Sequence, residues 1–252
     1  MCGISAIWGT GVTVEMIQRS LKTILYRGAR TYECALTPLG GLGANRLPIV
    51  DEDYGKQPVW NENKSICAIM NGEIYNHCAL REALLKKGHR IAGHNDTALI
   101  PHLYEEYGPE FVTKIDSEMF AIVLFDLNAK KVMAYRDPLG VKPLFIAKDA
   151  EERIHFASEA KQLIPISNSI QEIPPGHYYC NGKITHYYSL PIHSQNISTA
   201  DAIFSIQKVM DEAVAKRISP NEKIGIFFSG GIDSTAVLAT VWKYSKNIIT
   251  II

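Results

Sequence analysis

The chemistry of this sequence starts at Cys2. Removal of an initiator Met1 leaves one residue carrying both a thiol and a free α-amine, with ordinary pKa values of about 8.5 and about 7.7–8.0. An amine that is largely neutral in that range can take the thiol proton, directly or through water, and return it later. Nucleophile and base then reside in a single residue. The plain alternative is an inert cysteine at a frayed terminus. The catalytic reading requires that Met1 be removed, because an amide nitrogen at Cys2 cannot act as a base.

A nucleophile needs donors for a developing oxyanion and a grip on its substrate. The run Asn71-Gly72-Glu73-Ile74-Tyr75-Asn76 lies between an apolar stretch, 66–70, and a helical pattern. Asn71 offers a side-chain amide donor, and Gly72 lets a substrate approach the backbone N–H closely. A strand-to-helix turn with Asn76 as cap explains the same residues without any substrate. Arg46, among apolar neighbours, can fork onto a carboxylate or simply end a strand in water. Asp96 can hold an ammonium group or cap a helix.

A second, separate constellation is Ser229-Gly230-Gly231-Ile232-Asp233-Ser234. It follows the apolar stretch 223–228 and opens a helix, so its N–H groups and hydroxyls can cradle an anion. No Lys follows, so it is not the GxxxxGK[ST] loop; two glycines in a tight turn are the plain alternative.

The elements that must position these residues are legible around them. Met16, Ile17, Leu21, Ile24 and Leu25 recur at helical spacing in 13–25. Asn76 is placed to cap a helix with Leu80, Leu84 and Leu85 as its stripe and Gly88 as its stop. Asp96 is placed to cap another that ends at Gly108. Hairpins are predicted for 119–126 with 131–135, for 144–147 with 153–156, and for 176–180 with 183–188 across Asn181-Gly182, a type I′ signal. That order predicts an α+β fold with layered sheets. Beyond about 190 the texture changes. Ser198 and Asp201 stand at capping-box spacing before an amphipathic helix through Ile203, Ile206, Met210, Ala213 and Val214. The sequence of helix, strand, loop, helix and strand (247–252) begins a parallel α/β domain.

Composition excludes several classes. Apolar residues at 46% and charged residues at 21% are globular values and exclude a disordered, collagen-like or coiled-coil chain. Lys+Arg 26 against Asp+Glu 26 leaves no global field for nucleic acid or an anionic membrane. No run approaches a transmembrane length, and the N-terminus does not read as a secretory leader. Cys2, Cys34, Cys67, Cys78 and Cys180 are an odd, scattered set without CxxC, and the histidines lack HxxxH spacing. These features predict no disulfide framework, no metal site and a reducing, cytoplasmic setting.

Taken in order, the motifs resemble those of the glutamine-dependent asparagine synthetases, a branch of the class II glutamine amidotransferases. The carrying residues are Met1-Cys2-Gly3-Ile4, Tyr26-Arg27-Gly28, RLPIVD (46–51), NGEIYN (71–76), Asn95-Asp96, RDPLGVKPL (136–144), FASEAK (156–161), PPGHYY (174–179) and SGGIDS (229–234). The resemblance implies an N-terminal-nucleophile αββα sandwich over 2–190 and the start of an α/β ATP-pyrophosphatase domain, incomplete, over 198–252. It implies that Cys2 attacks the glutamine side-chain amide, with Asn71 and Gly72 as oxyanion hole. Arg46 would bind the α-carboxylate and Asp96 the α-ammonium, with Ile49, Val50 and Glu73 completing the pocket. Ser229, Gly230, Gly231, Asp233 and Ser234 would hold ATP with Mg2+. The implied partners are glutamine, aspartate and ATP, with room for a homodimer and no role for nucleic acid or membrane. Where the family commonly has Pro-Asp, this chain has Ala29-Arg30.

Two rivals accompany the resemblance: an amidotransferase of the same branch with another carboxylate acceptor, and a non-catalytic glutamine- or nucleotide-sensing remnant. The second contends with the presence of Cys2, Arg46, Asn71, Gly72 and Asp96 together. With so little of the second domain in the sequence, the expectation is that this chain alone hydrolyses glutamine without making asparagine.

Overall fold

Strands dominate the first three quarters of the chain. In order they are β1 (Gly3–Trp8), β2 (Glu33–Thr37), β3 (Gly40–Asn45), β4 (Val59–Trp60), β5 (Ile66–Gly72), β6 (Phe120–Asp126), β7 (Lys131–Arg136), β8 (Phe145–Lys148), β9 (Ile154–Ala157), β10 (Ile170–Glu172), β11 (His177–Cys180) and β12 (Lys183–His186). Helices α1 (Val14–Lys22), α2 (His77–Lys86) and α3 (Ile100–Tyr107) interrupt them. The computed structural model describes residues 2–28, 32–47, 55–191, 196–218 and 223–251, in two compact units, Met1–Leu190 and Pro191–Ile252.

In the first unit the strands form two six-stranded antiparallel sheets, ordered β10-β8-β9-β1-β3-β2 and β12-β11-β7-β6-β5-β4. The period-two alternation of a strand explains the layering. Along β6, Ala121, Val123 and Phe125 enter the core between the sheets, where they meet Ile4, Ala6 and Phe156 of the other sheet. The intervening Phe120, Ile122 and Leu124 face the opposite way, into a second core with Leu84, Leu99 and Leu103 from the α2–α3 region. On the far side, Ile7 of β1 packs with Ile17 and Leu21 of α1. Strands buried on both faces require a helical cover on each side, and the result is the expected αββα sandwich.

The three expected hairpins are present: β6–β7, β8–β9 and β11–β12. Asn181 and Gly182 have φ of 41° and 96°, as a type I′ turn demands of both residues. Two local expectations differ. The backbone turns into α2 at Asn76, but the Asn76 side chain bonds elsewhere: Nδ2 donates to the Lys114 carbonyl at 2.9 Å, and Oδ1 accepts from the Asp116 N–H at 2.9 Å. The side chain thus ties two loops together and leaves the helix end uncapped. Leu85 is 52% exposed while Leu84 is buried, because only one edge of α2 meets the sheet.

The second unit contains α4 (Thr199–Arg217), β13 (Ile224–Phe227), α5 (Ile232–Tyr244) and β14 (Ile248–Ile251), with β13 and β14 parallel. Ser198 caps α4, accepting from the Asp201 N–H at 3.1 Å. The helices are joined by Asp211, which pairs with Lys243 at 2.8 Å and accepts from the Tyr244 hydroxyl at 2.6 Å. Burial here is confined, among the described residues, to Ile226, Thr240, Val241 and Ser245. Of the expected apolar stripe of α4, Ile203 and Ile206 are exposed, while Met210, Ala213 and Val214 are half-buried.

Candidate functional site

Register brings the first two candidates together. β1 and β3 pair antiparallel with Gly3 opposite Asn45, so Cys2 and Arg46 emerge from the same end of adjacent strands. In the other sheet, β5 ends at Asn71-Gly72, opposite Ala121 and Phe120 of β6. The two strand ends open into one cavity of about 240 Å3 lined by Cys2, Arg46, Asn71, Gly72, Glu73 and Asp96. All the described candidates for the first site meet there. Ile49 and Val50, and the Ala29-Arg30 pair, lie outside the described residues.

Each side chain is held by identifiable contacts. The Cys2 thiol accepts from the Leu47 N–H at 3.4 Å. Asn71 is 1% exposed, and its Nδ2 is buried without a hydrogen-bond partner. A buried amide donor left unpaired costs about 1–3 kcal/mol, so its position at the cavity calls for an acceptor. A Cβ on Gly72 would stand 2.6 Å from the Met119 carbonyl oxygen, so only glycine lets β5 and β6 close at this point. A Cβ on Gly55 would stand 2.1 Å from Nη2 of Arg46, which places the guanidinium against that backbone.

The acidic residues form a pair. Asp96 accepts from the Ile74 N–H at 2.8 Å and from the Thr97 N–H at 2.7 Å, capping a 3-10 turn, Thr97–Leu99, that leads into α3. The capping role read from sequence is therefore present along with a place at the cavity. Burial raises the Asp96 carboxyl above the usual carboxylate range. Burial, with the Asp96 charge adding to it, pushes Glu73 up to about 7. Two carboxyls disfavoured as anions in one cavity suit a cationic group between them.

The structure adds residues that sequence reasoning did not single out. Lys142 lines the cavity, its ammonium lowered by burial and then by the Arg27 charge. The motif 136–144 delivers it: Asp137 accepts from the N–H groups of Leu139, Val141 and Lys142 at 3.0, 2.9 and 2.8 Å, while Arg136 donates to the carbonyls of Lys142, Gly140 and Ile173. Gln57 lines the wall, accepting from the Met70 N–H at 2.8 Å and donating to Thr97 Oγ1 at 3.3 Å. Arg27 donates to the Cys2 carbonyl, and Ser158 Oγ accepts from the Ile4 N–H at 2.9 Å. Motif membership was the available signal for Arg27, Lys142 and Ser158; Gln57 had none.

In the second unit, the loop 229–234 sits at the start of α5. The hydroxyls of Ser229 and Ser234 are 3.2 Å apart, and Thr235 Oγ1 donates to the Gly231 carbonyl at 2.8 Å. A Cβ at Gly230 would meet only open space. The exposed hydroxyls, the amides of the first turn and the Asp233 carboxylate fit a phosphate group with a divalent cation.

Comparison with known proteins gives the family of the chain. The family model for the glutamine amidotransferase domain matches residues 1–200, and that for asparagine synthase matches 205–251. Asparagine synthetases [glutamine-hydrolyzing] 2 and 3 of Arabidopsis thaliana are 35% and 37% identical over 260 residues, covering 98% of this chain and 43% of each relative. The Zea mays asparagine synthetase is 34% identical over 253 residues, covering 97% of this chain and 42% of the relative. This chain thus spans less than half the length of these curated relatives. Among solved structures, the glutamine phosphoribosylpyrophosphate amidotransferase from B. subtilis superposes with a TM-score of 0.63 at 16% identity, covering 99% of this chain and 65% of that one. That likeness carries the fold alone.

Proposed function

This chain belongs to the glutamine amidotransferase domain family, and from that premise we propose that its first unit hydrolyses the side-chain amide of glutamine at Cys2. The observation that carries the reading is the buried, unpartnered Nδ2 of Asn71, a residue that lines the same cavity as Cys2. A carbonyl oxygen that becomes an oxyanion supplies the missing acceptor, and supplies it best in the transition state.

Arg46 takes the α-carboxylate as a fork, and Glu73 with Asp96 takes the α-ammonium. With Met1 removed, the Cys2 amine accepts the thiol proton as sulfur bonds to the amide carbon, and Asn71 and Gly72 hold the oxyanion. The amine returns the proton to the nitrogen, which leaves as ammonia. Water then cleaves the thioester, releasing glutamate and the thiol.

For the asparagine synthesis named for its relatives, we read the second unit as contributing to an ATP site. Ser229, Ser234 and the amides of Gly230 and Gly231 would hold phosphate, and Asp233 would face Mg2+. ATP bound there with Mg2+ would supply activation of the aspartate carboxylate for amination by the ammonia. A cytoplasmic setting belongs to the same proposal. Among the described helices none is long and apolar enough to cross a membrane.

The test is glutamate release from glutamine by the purified chain. Asn71→Ala should lower kcat by about 10²- to 10³-fold, the usual loss for one oxyanion donor. Turnover unaffected by Asn71→Ala removes the oxyanion hole from this place.

A further inference from the structure

A second cluster of ligating groups lies in the first unit, and none of its members lines the glutamine cavity. Glu62 stands in the turn between β4 and β5, His89 just beyond α2, and His102 and Glu105 one turn apart on α3. His102 is 1% exposed, and one ligand atom from each of the four residues falls within 4.8 Å of all the others. We propose that Glu62, His89, His102 and Glu105 bind a divalent metal ion of zinc type that clamps α2, α3 and the β4–β5 turn together.

The spacing supports the assignment. Ligand atoms about 2.0–2.1 Å from a tetrahedral ion stand about 3.3–3.4 Å from one another. Nδ1 of His89 and Nδ1 of His102 are 3.3 Å apart. Glu62 reaches both histidines with different oxygens, Oε2 at 3.3 Å from His102 Nδ1 and Oε1 at 3.2 Å from His89 Nδ1, and a single one of its oxygens lies within 4.8 Å of the other three ligand atoms. Glu105 Oε2 stands on the fourth side, 4.0 Å from His89 Nδ1. Two carboxylates and two neutral imidazoles balance a doubly charged cation.

The surroundings orient these ligands as metal sites require. His89 Nε2 lies 3.1 Å from Glu106 Oε1, and Glu106 is itself paired with Lys87. A proton on Nε2 leaves the Nδ1 lone pair facing the centre. The Arg90 N–H donates to Glu62 Oε1 at 2.7 Å, and Asn61 Nδ2 donates to Glu105 Oε2 at 3.4 Å. No short spacing announces this site in the sequence, since its ligands come from three separate elements. A purely hydrogen-bonded cluster, with a His102 proton shared between His89 and Glu62, is the competing arrangement.

The experiment uses the whole chain, stripped with chelator and titrated with Zn2+ alone, with Co2+ as a spectroscopic substitute. One ion per chain is expected, with tetrahedral cobalt bands, no thiolate charge-transfer band and a raised Tm. Glu105→Gln and His89→Ala should abolish stoichiometric binding, with far-UV circular dichroism confirming that each is folded. Glu106→Gln should weaken binding by about 10- to 100-fold while keeping the stoichiometry. No stoichiometric binding, equal binding by folded Glu105→Gln and His89→Ala, or a thiolate band that vanishes in Cys2→Ala would each overturn the proposal.

Discussion

The guanidinium of Arg27 holds the backbone of Cys2: its Nε donates to the Cys2 carbonyl at 3.0 Å while Nη1 pairs with Glu159 at 2.6 Å. The Arg27–Glu159 pair thus anchors the backbone from which the sulfur projects. Lysine offers one ammonium in place of this planar fork. Arg27→Lys should therefore lower kcat about 10- to 100-fold, the scale of an ångström-level misplacement, with KM for glutamine nearly unchanged. A rise in KM with kcat intact would make Arg27 a substrate ligand instead of a positioning residue.

The cysteines should separate by reactivity. Burial pushes the Cys67 thiol up to about 12 and the Cys34 thiol up to about 11. Both are almost wholly protonated at neutral pH and should resist iodoacetamide in the folded chain. Cys2→Ala should abolish glutamate release, while Cys34→Ala and Cys67→Ala keep it. Peptide mapping after alkylation, together with the three activities, checks this; equal loss in all three variants contradicts it.

Glu73 sets a pH dependence whose sign is definite. Its carboxyl titrates at about 7 in the folded chain against an ordinary 4.5, so between those values the folded state holds a proton that the unfolded state has lost. Stability without ligand should fall as pH rises through that window, and Glu73→Gln should remove this part of the slope. An ammonium substrate prefers the ionised form, so KM for glutamine should improve as pH rises through about 7. Identical Tm and KM profiles for the wild type and Glu73→Gln would show that the carboxyl does not titrate there.

Arg46 should act on binding more than on chemistry. Loss of a charge-assisted clamp is worth roughly 1.5–3 kcal/mol, or about one to two decades of affinity. Arg46→Ala should raise KM by that factor with a smaller change in kcat. Gly55→Ala should produce a weaker version of the same effect, because the added methyl group displaces the guanidinium without deleting it. Steady-state kinetics of both variants decide the order.

Much of this site was legible because its residues sit at strand ends. Cys2, Arg46 and Asn71 each adjoin an apolar run, and strand-end residues converge once register is set. Register itself was not legible: Gly3 opposite Asn45 is a long-range choice made by packing between the sheets. Asn76 had the residue type and place of a cap, but a loop some forty residues away offered it two better partners. The Glu62–His89–His102–Glu105 cluster was hidden for the same reason, since only the fold brings its members together. Asp96 carried two readings in the sequence, and they do not exclude one another: the residue whose carboxylate caps the turn also lines the cavity.

β1 is inserted between β3 and β9, paired on both edges. Residues beside a chain end commonly exchange their amide hydrogens first, through local fraying. At Ser5–Ile7 that route is closed, because the strand is paired on both edges and one face packs in the inter-sheet core, so fraying from the chain end does not free these amides. The sulfur therefore rides on a segment whose protection approaches that of the whole domain. Loss of turnover on heating and loss of the fold should then be one cooperative event, without an inactive state in which the nucleophile alone has come adrift.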